Sequence, residues 1–254
     1  MTSTGKIALV TGGSRGLGRN TVLQLAQNGI DAVFTYRSSQ AEAAAVAAEV
    51  EALGGKAVAQ QLDTSDISGF ADFAGQLQTI LKDTWNRTSF DFLINNAGIG
   101  INKPFAETSE ADFDQLMNVH VKGVFFLTQT LLPLIADGGR ILNLSSGLAR
   151  FSLPGYAAYA SMKGAVEVLT RYLAKELGVR GIAVNTIAPG AIETDFGGGA
   201  VRDVPEVNQY VASVTAMGRA GLPDDIGGAI AALLAGQSGW ITGQRIEISG
   251  GMHI

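Results

Sequence analysis

The chain has 254 residues, 46% of them hydrophobic and 16% charged, with no cysteine, two histidines and a formal net charge of −5. This excludes disulfides, thiolate metal sites and cysteine nucleophiles, leaves no expected metal site, and argues against a nucleic-acid surface, which needs clustered basic residues. No apolar run approaches the ~18 residues of a membrane span and no basic stretch leads a signal-type segment, so a soluble, cytoplasmic protein is expected.

The run Ile7–Thr11 is apolar, stops at glycines and predicts a first strand. A helix follows, with Leu17, Val22, Leu25 and Ala26 near i, i+4 spacing and Gly29 as its stop. Ala32–Tyr36 is the next strand, and Gln40–Leu53 is a helix ending in Gly54-Gly55. Lys56–Leu62, Phe92–Asn95, Arg140–Leu144, Ile182–Ile187 and Arg245–Ile248 supply further strands, for about seven in all. Helical patterns lie at 66–82, 110–135, 157–178 and 224–235. Apolar strands alternating with helices predict an α/β fold, a doubly wound Rossmann-type parallel sheet with helices on both faces, in one domain over 1–254.

Two helical segments are unusually apolar. Gly123–Ala136 carries no charge, and in Ala157–Ala174 the charges Lys163, Glu167 and Arg171 fall on one stripe. Such helices need a second burial partner beyond the sheet. That partner is either another subunit, in a homodimer or homotetramer, or the protein's own interior.

Glycine is the compositional excess, at 33 of 254 residues. The first strand turns into its helix through Thr11–Gly18, with Gly12, Ser14, Arg15, Gly16, Leu17 and Gly18 in the turn. Small residues there admit a pyrophosphate close to the backbone, where helix N–H groups and dipole face it. The second strand ends in Tyr36 and Arg37, followed by Ser38, and not in the carboxylate that binds a ribose diol in many NAD sites. Arg37 and Arg15 can pair with a 2′-phosphate that a carboxylate would repel, so NADP(H) is the expected cofactor.

Tyr159 and Lys163 lie one turn apart on the same helix face. An ammonium and an oxidised nicotinamide beside the phenol would lower its pKa, which suits Tyr159 to deliver a proton to a carbonyl oxygen. Strand Arg140–Leu144 ends in Ser145-Ser146, at the edge where doubly wound sheets bind ligands, and either hydroxyl could hold the substrate oxygen.

With T-G-x-x-x-G-x-G at Thr11–Gly18, N-N-A-G at Asn95–Gly98, Y-x-x-x-K at Tyr159–Lys163, Pro189-Gly190 with Thr194, and the ending Ile241–Gly251, the chain resembles a single-domain short-chain dehydrogenase/reductase along essentially its whole length. The resemblance extends to carbonyl reductases of the 3-oxoacyl-[acyl-carrier-protein] reductase type. It implies that the catalytic serine lies thirteen residues before the tyrosine, which selects Ser146. It further implies Tyr159 as proton donor, Ser146 as the carbonyl-orienting group and Lys163 as holder of the nicotinamide ribose. Asp63 and Thr64 would flank adenine, Asn95, Ala97 and Gly98 would line the cofactor, and Ile192 and Thr194 would approach its carboxamide. Dimers or tetramers joined through two apolar helices are usual in the family.

One position departs. Where the family often has a fourth catalytic residue, Asn, this chain aligned on Gly123 and Phe125 has His120. Asn118 lies two residues earlier, about 200° away around an ideal helix. His120 either adds a group that titrates near neutral pH to a proton relay, or serves only through its backbone and side-chain contacts.

Leu148, Phe151, Leu153, Tyr156 and Phe196 predict an apolar substrate pocket. Phe196 with Gly197–Gly199 reads as a hinge in a lid over 193–217. Arg150 and Arg202 could meet an acidic group or simply be solvated. The expected reaction is reversible NADPH-dependent reduction of a ketone or aldehyde to an alcohol. A 3-oxoacyl thioester, or an aromatic or alicyclic ketone, falls in that class. An enoyl reductase would space Tyr and Lys more widely. A sugar-nucleotide epimerase needs a C-terminal substrate domain, and a non-catalytic NADP(H) sensor or scaffold would not require Ser146, Tyr159 and Lys163 together.

Overall fold

The computed structural model describes residues 5–236 and 238–254. Seven strands form one all-parallel sheet: β1 (Ile7–Val10), β2 (Asp31–Tyr36), β3 (Ala57–Gln61), β4 (Phe90–Asn95), β5 (Ile135–Leu144), β6 (Ala183–Pro189) and β7 (Arg245–Ile248). Their order across the sheet is β3-β2-β1-β4-β5-β6-β7. Helices α1 (Gly16–Gln27), α2 (Gln40–Ala52) and α9 (Pro223–Ala235) cover one face. Helices α3 (Phe70–Trp85), α5 (Gly123–Leu131) and α6 (Ala157–Leu177) cover the other. The doubly wound Rossmann-type architecture expected from the sequence is therefore the architecture found.

Alternation along the strands decides this layering. Ala8 and Val10 face the α1/α9 side, while Ile7 and Leu9 face the α3/α6 side, each fully buried. Phe90 and Leu93 share a face despite their odd separation, because the β4–β5 register shifts between Phe90 and Phe92.

The structure departs from the expected elements in three places. The helix expected over 110–135 is α4 (Glu110–Met117), a π-helical segment (Asn118–Lys122), α5 and a short 3-10 turn (Leu132–Leu134). A capping box at Ser109 and Asp112 starts it. The wider turn lies where Gly123 presses on the Thr64 backbone carbonyl, a contact that a Cβ would forbid. Second, β5 starts at Ile135, ahead of the expected Arg140: Ile135 pairs with Phe90 and Arg140 with Phe92, and Gly138, at φ +74, lies in the bulge between them. Third, the patternless stretch 193–217 holds a 3-10 turn (Phe196–Gly199), α7 (Ala200–Asp203) and α8 (Pro205–Ser213).

Among the described residues no helix is long and apolar enough to cross a membrane.

Candidate active site

At the C-terminal edge of the sheet, β1 lies between β2 and β4, so the chain leaves β1 in opposite directions on its two sides. A cavity of about 720 Å³ opens there, as expected at a topological switch point.

Its floor is the glycine turn. Gly12, at φ +68, donates its N–H to Thr35 Oγ1 at 3.1 Å, and Gly13 donates to the Thr35 carbonyl at 2.8 Å. The Asn96 side chain donates to the carbonyls of Thr11 and Gly12 at 2.8 and 3.2 Å, clamping the turn onto the end of β4. Thr11 Oγ1 accepts the N–H groups of Asn96 and Ala97, both at 2.9 Å. A Cβ at Gly18 would strike the Gly12 carbonyl, and one at Gly16 would point across the cavity toward Thr194. This is a cradle only glycine leaves open, and no side chain caps α1 from within the protein.

Gly12, Ser14, Arg15, Gly16, Leu17, Gly18, Tyr36, Arg37, Ser38, Asp63, Thr64, Ala97, Gly98, Pro189, Gly190, Ile192 and Thr194 all line the cavity, as the sequence analysis placed them. Asn95 does not. Its side chain is buried and donates to Asn143 Oδ1 at 2.8 Å and Thr128 Oγ1 at 3.1 Å. Asn95, Asn143 and Thr186 are register partners on β4, β5 and β6, so they line up as a polar ladder inside the sheet. Its neighbour Asn96 is the lining residue, and the alternation of side chains along β4 is the signal that could have identified it.

The two arginines at the phosphate end stand out chemically. Of the chain's eleven arginines, nine have guanidinium groups that donate to a carboxylate or carbonyl. Among the described residues, Arg15 and Arg37 have no such acceptor and line the cavity instead. Unpaired cations beside an anion-binding cradle fit the 2′-phosphate and pyrophosphate of NADP(H). When bound, that cofactor supplies a hydride.

At the opposite end α6 brings Tyr159 and Lys163 together, with Lys163 Nζ 5.5 Å from the centre of the Tyr159 ring. Lys163 is only 5% exposed and donates to the Leu144 carbonyl at 2.7 Å. Burial lowers its pKa to about 7. Burial also raises the Tyr159 pKa above that of a free phenol, against an opposing hydrogen bond with Ser146. Desolvation thus acts on both groups, favouring the neutral phenol and the neutral amine. The phenol is therefore protonated through the neutral range. Ser146 forms the N-cap of a short turn, accepting the Leu148 N–H at 3.2 Å.

His120 also reaches the cavity, whereas Asn118 does not. The imidazole is 1% exposed, stands edge-on to Tyr159 at 5.3 Å between ring centres, and leaves no room for a Cβ at Gly98. Its Nε2 lies 2.8 Å from the Ile99 carbonyl, which puts the proton on Nε2 and leaves Nδ1 buried without a partner among the described residues. Desolvation first, then the Lys163 charge, hold its pKa well below 6.5. The ring is therefore neutral at physiological pH.

The predicted pocket residues Leu148, Phe151, Leu153, Tyr156 and Phe196 all line the cavity, with Phe196 tilted against Tyr159 at 5.9 Å. Val207, Tyr210 and Val211 on α8, and Met252 in the tail, complete the wall. The i, i+3, i+4 spacing on α8 was a readable signal for the first three. Gly197, Gly198 and Gly199 are all left-handed, at φ +63, +77 and +78, so the turn into α7 requires glycine. Arg202 bridges Asp195 and Asp203 across it, and Arg150 pairs with Glu247. Neither arginine is free to meet an acidic substrate.

A family model described as enoyl-(acyl carrier protein) reductase matches residues 12–253. The hydroxynaphthalene reductase-like protein Arp2 of Metarhizium brunneum is 36% identical over 258 residues, covering 97% of this chain and 94% of the relative. Among solved structures, the promiscuous reductase LugOII, which catalyses keto-reduction at C1 during lugdunomycin biosynthesis, superimposes with a TM-score of 0.94 at 36% identity, covering 100% of both chains. The angucycline C-6 ketoreductase LanV with bound NADP gives 0.94 at 34% identity, covering 100% of this chain and 98% of that one. The chain belongs to the short-chain dehydrogenase/reductase family and is an oxidoreductase.

Two measurements check the electrostatics. Between pH 7 and 10.5 the unfolded Lys163 amine carries a proton that the folded one lacks, so stability rises with pH through that window. The melting temperature of the wild type minus that of Lys163→Met is therefore expected to grow from pH 7 to 10. A pH-independent difference would refute a neutral buried amine. For His120→Asn, the pH–rate profile is expected to keep its shape from about pH 5.5 to 9, because the replaced ring does not titrate there.

Proposed function

We propose that this protein uses NADPH to reduce the ketone of a fused-ring aromatic or similarly apolar small molecule to a secondary alcohol. The observation that carries the reading is the convergence of Tyr159, Ser146 and Lys163 at one end of a single cavity whose other end holds two unpaired arginines. The names of the relatives, hydroxynaphthalene reductase and angucycline ketoreductase, agree with a cavity walled by aromatic and aliphatic side chains. A free ketone is favoured over an acyl thioester on an acidic carrier protein. Lys103, Arg150 and Arg202, in the loops bordering the substrate half, are each tied to a carboxylate and offer a carrier no open cation.

In this mechanism Ser146 donates a hydrogen bond to the substrate carbonyl and fixes its orientation. Tyr159 transfers its phenolic proton to the carbonyl oxygen as the carbonyl carbon gains a hydride, so the C=O double bond becomes C–H and O–H. Desolvation keeps the phenol protonated until then, and developing oxyanion character on the substrate meets two hydroxyl groups already in place. Lys163 holds the ribose and, in its protonated form, compensates the phenolate that remains. Phe196 and α8 exclude water. His120 keeps the Tyr159 ring edge-on.

The test is a panel of ketones, 1-tetralone and 2-tetralone among them, assayed with NADPH and NADH. Tyr159→Phe is expected to lower kcat by about 10²–10⁴-fold, the contribution of a positioned general acid. Undiminished activity would overturn the mechanism. Arg37→Asp is expected to raise the NADH/NADPH ratio of kcat/KM at least tenfold.

The assembly belongs to the same reading. α5 exposes Phe125 and Phe126, and α6 exposes Val168 and Tyr172, the last at 65%. This apolar, aromatic face accounts for the two helices that lack a polar side, and a homotetramer or homodimer joined through it, in the cytoplasm, is the proposed state. Sedimentation at micromolar concentration is expected to show an oligomer that Tyr172→Glu weakens. A wild-type monomer would refute it.

A further inference from the structure

Beneath the turn that carries Ser146, four charged side chains form a chain from α6 to the C-terminal tail. Glu167 Oε1 accepts both the Ser145 hydroxyl and the Arg245 Nε–H, each at 2.7 Å. Arg245 turns its other two nitrogens to Glu247 Oε2 at 2.6 Å and to the backbone carbonyl of Ser146 at 3.1 Å. Glu247 is gripped from the far side by Arg150, Nε to Oε2 at 2.8 Å and Nη2 to Oε1 at 2.7 Å. Arg150 then donates to the carbonyls of Met252 and His253 at 2.8 and 3.0 Å.

The tail it holds is a working surface. Ala216 and Met217 donate their N–H groups to the Gly251 and Gly250 carbonyls, at 3.2 and 3.1 Å, and His253 donates to Val214 at 2.9 Å. The tail thus pairs with the segment that follows α8. The His253 ring lies 4.5 Å from Phe151, and Phe151 and Met252 both line the cavity. One end of the ionic chain therefore grips the serine turn and the other grips a wall of the substrate cavity.

We propose that Arg245 and Glu167 are positioning residues for the reaction, acting through the Ser146 carbonyl and the Ser145 hydroxyl, and that Glu247 and Arg150 carry the register of the C-terminal tail to the same turn. The inference rests on the reading of Ser146 as the group that orients the carbonyl. Within the protein the Ser146 hydroxyl accepts a hydrogen bond from the Leu148 N–H, so its reach into the cavity is set by where its peptide lies. Charge-assisted hydrogen bonds on both sides of that peptide fix it more firmly than neutral ones. Glu167, Arg245 and Glu247 are 15%, 23% and 19% exposed, which limits screening by solvent. Arg150, Arg245 and the Ser249 hydroxyl hold the Glu247 carboxyl at about 2, so that carboxylate stays ionised through the neutral range.

The experiment uses the full-length protein and the fused-ring ketone of the panel turned over fastest. Arg245→Met is expected to lower kcat about 10- to 100-fold, the scale of a displacement of about 1 Å at a reacting group. NADPH affinity, read from its fluorescence, should stay within about twofold, and the isotope effect with 4-deuterated NADPH should rise as the chemical step becomes limiting. Arg245→Lys should recover part of kcat. Arg150→Met, which acts at the far end of the ionic chain from the turn, should raise KM and lower kcat by less than Arg245→Met does. Should Arg245→Met fail to fold, Glu167→Gln, which keeps the shape of the side chain, decides by the same kcat and isotope readouts. Wild-type kcat in Arg245→Met and Glu167→Gln, beside a Ser146→Ala that has lost activity, would overturn the positioning role and leave the serine's role standing. A fully active Ser146→Ala would overturn the serine's role, and the positioning inference with it.

Discussion

A parallel sheet forces every strand to end at the same edge, because each connection must cross back over a face before the next strand begins. Here that geometry delivers the loops after β1, β2, β3, β4, β5 and β6 to one side of the molecule, around the gap where β1 meets β4. No single loop makes the site. The glycine turn after β1 is held by Asn96 from β4, and its second anchor is Thr35 on β2. The cradle is thus braced by both neighbours of β1, which is why its backbone can stay open toward a ligand without collapsing.

The same cavity carries opposite electrostatics at its two ends. At the phosphate end the Arg15 and Arg37 guanidinium groups have no carboxylate or carbonyl acceptor among the described residues and line the cavity. At the reacting end desolvation removes charge: Lys163 titrates near 7, Tyr159 stays protonated, and His120 stays neutral. A dianionic phosphate is drawn to one end, and a neutral carbonyl compound meets hydroxyl groups at the other. In the proposed mechanism, charge developing there in the transition state meets hydroxyl groups that the fold already orients. Burial is the common cause of both the low amine and the high phenol values, so one physical effect tunes the acid and its neighbour together.

Much of this was legible in the sequence, for identifiable reasons. The seven strands and their flanking helices follow from short apolar runs alternating with longer periodic ones. The glycine turn, Arg37, Tyr159 and Lys163 follow from spacing, since a turn or a helix face is a local object, whereas only the family resemblance separates Ser146 from Ser145. What failed to show was whatever depends on a distant neighbour. Asn95 looks like a ligand contact until β5 and β6 place Asn143 and Thr186 beside it in register. The π segment at Asn118–Lys122 depends on Gly123 meeting Thr64, a residue at the far end of another crossover. The direction of the Tyr159 shift depends on how dry the cavity is, and no spacing rule reports that.

The charged stripe on α6 runs from the buried Lys163 through the partly buried Glu167 to the exposed Arg171. Tyr159, Lys163 and Glu167 recur every four residues, and Thr170 follows one further turn along the same side. On an ordinary surface helix such a stripe faces water and the apolar remainder faces the core. Here the stripe begins inside the protein: Tyr159, Lys163 and Thr170 are buried, and Glu167 is held between Ser145 and Arg245. The large apolar side chains that α6 exposes are Val168 and Tyr172, beside the charged Arg171, Lys175 and Glu176. Each polar group on the inner face has a partner from β5, β6 or β7: the Leu144 carbonyl for Lys163, Arg245 for Glu167, and Asn143 and Thr186 for Thr170. Buried polar groups in such number are tolerated only when every one is satisfied. The helix therefore needs the ends of three strands in fixed register before its tyrosine can sit where it does. The geometry of the catalytic groups is in that sense a property of the whole sheet edge, and α6 alone does not determine it.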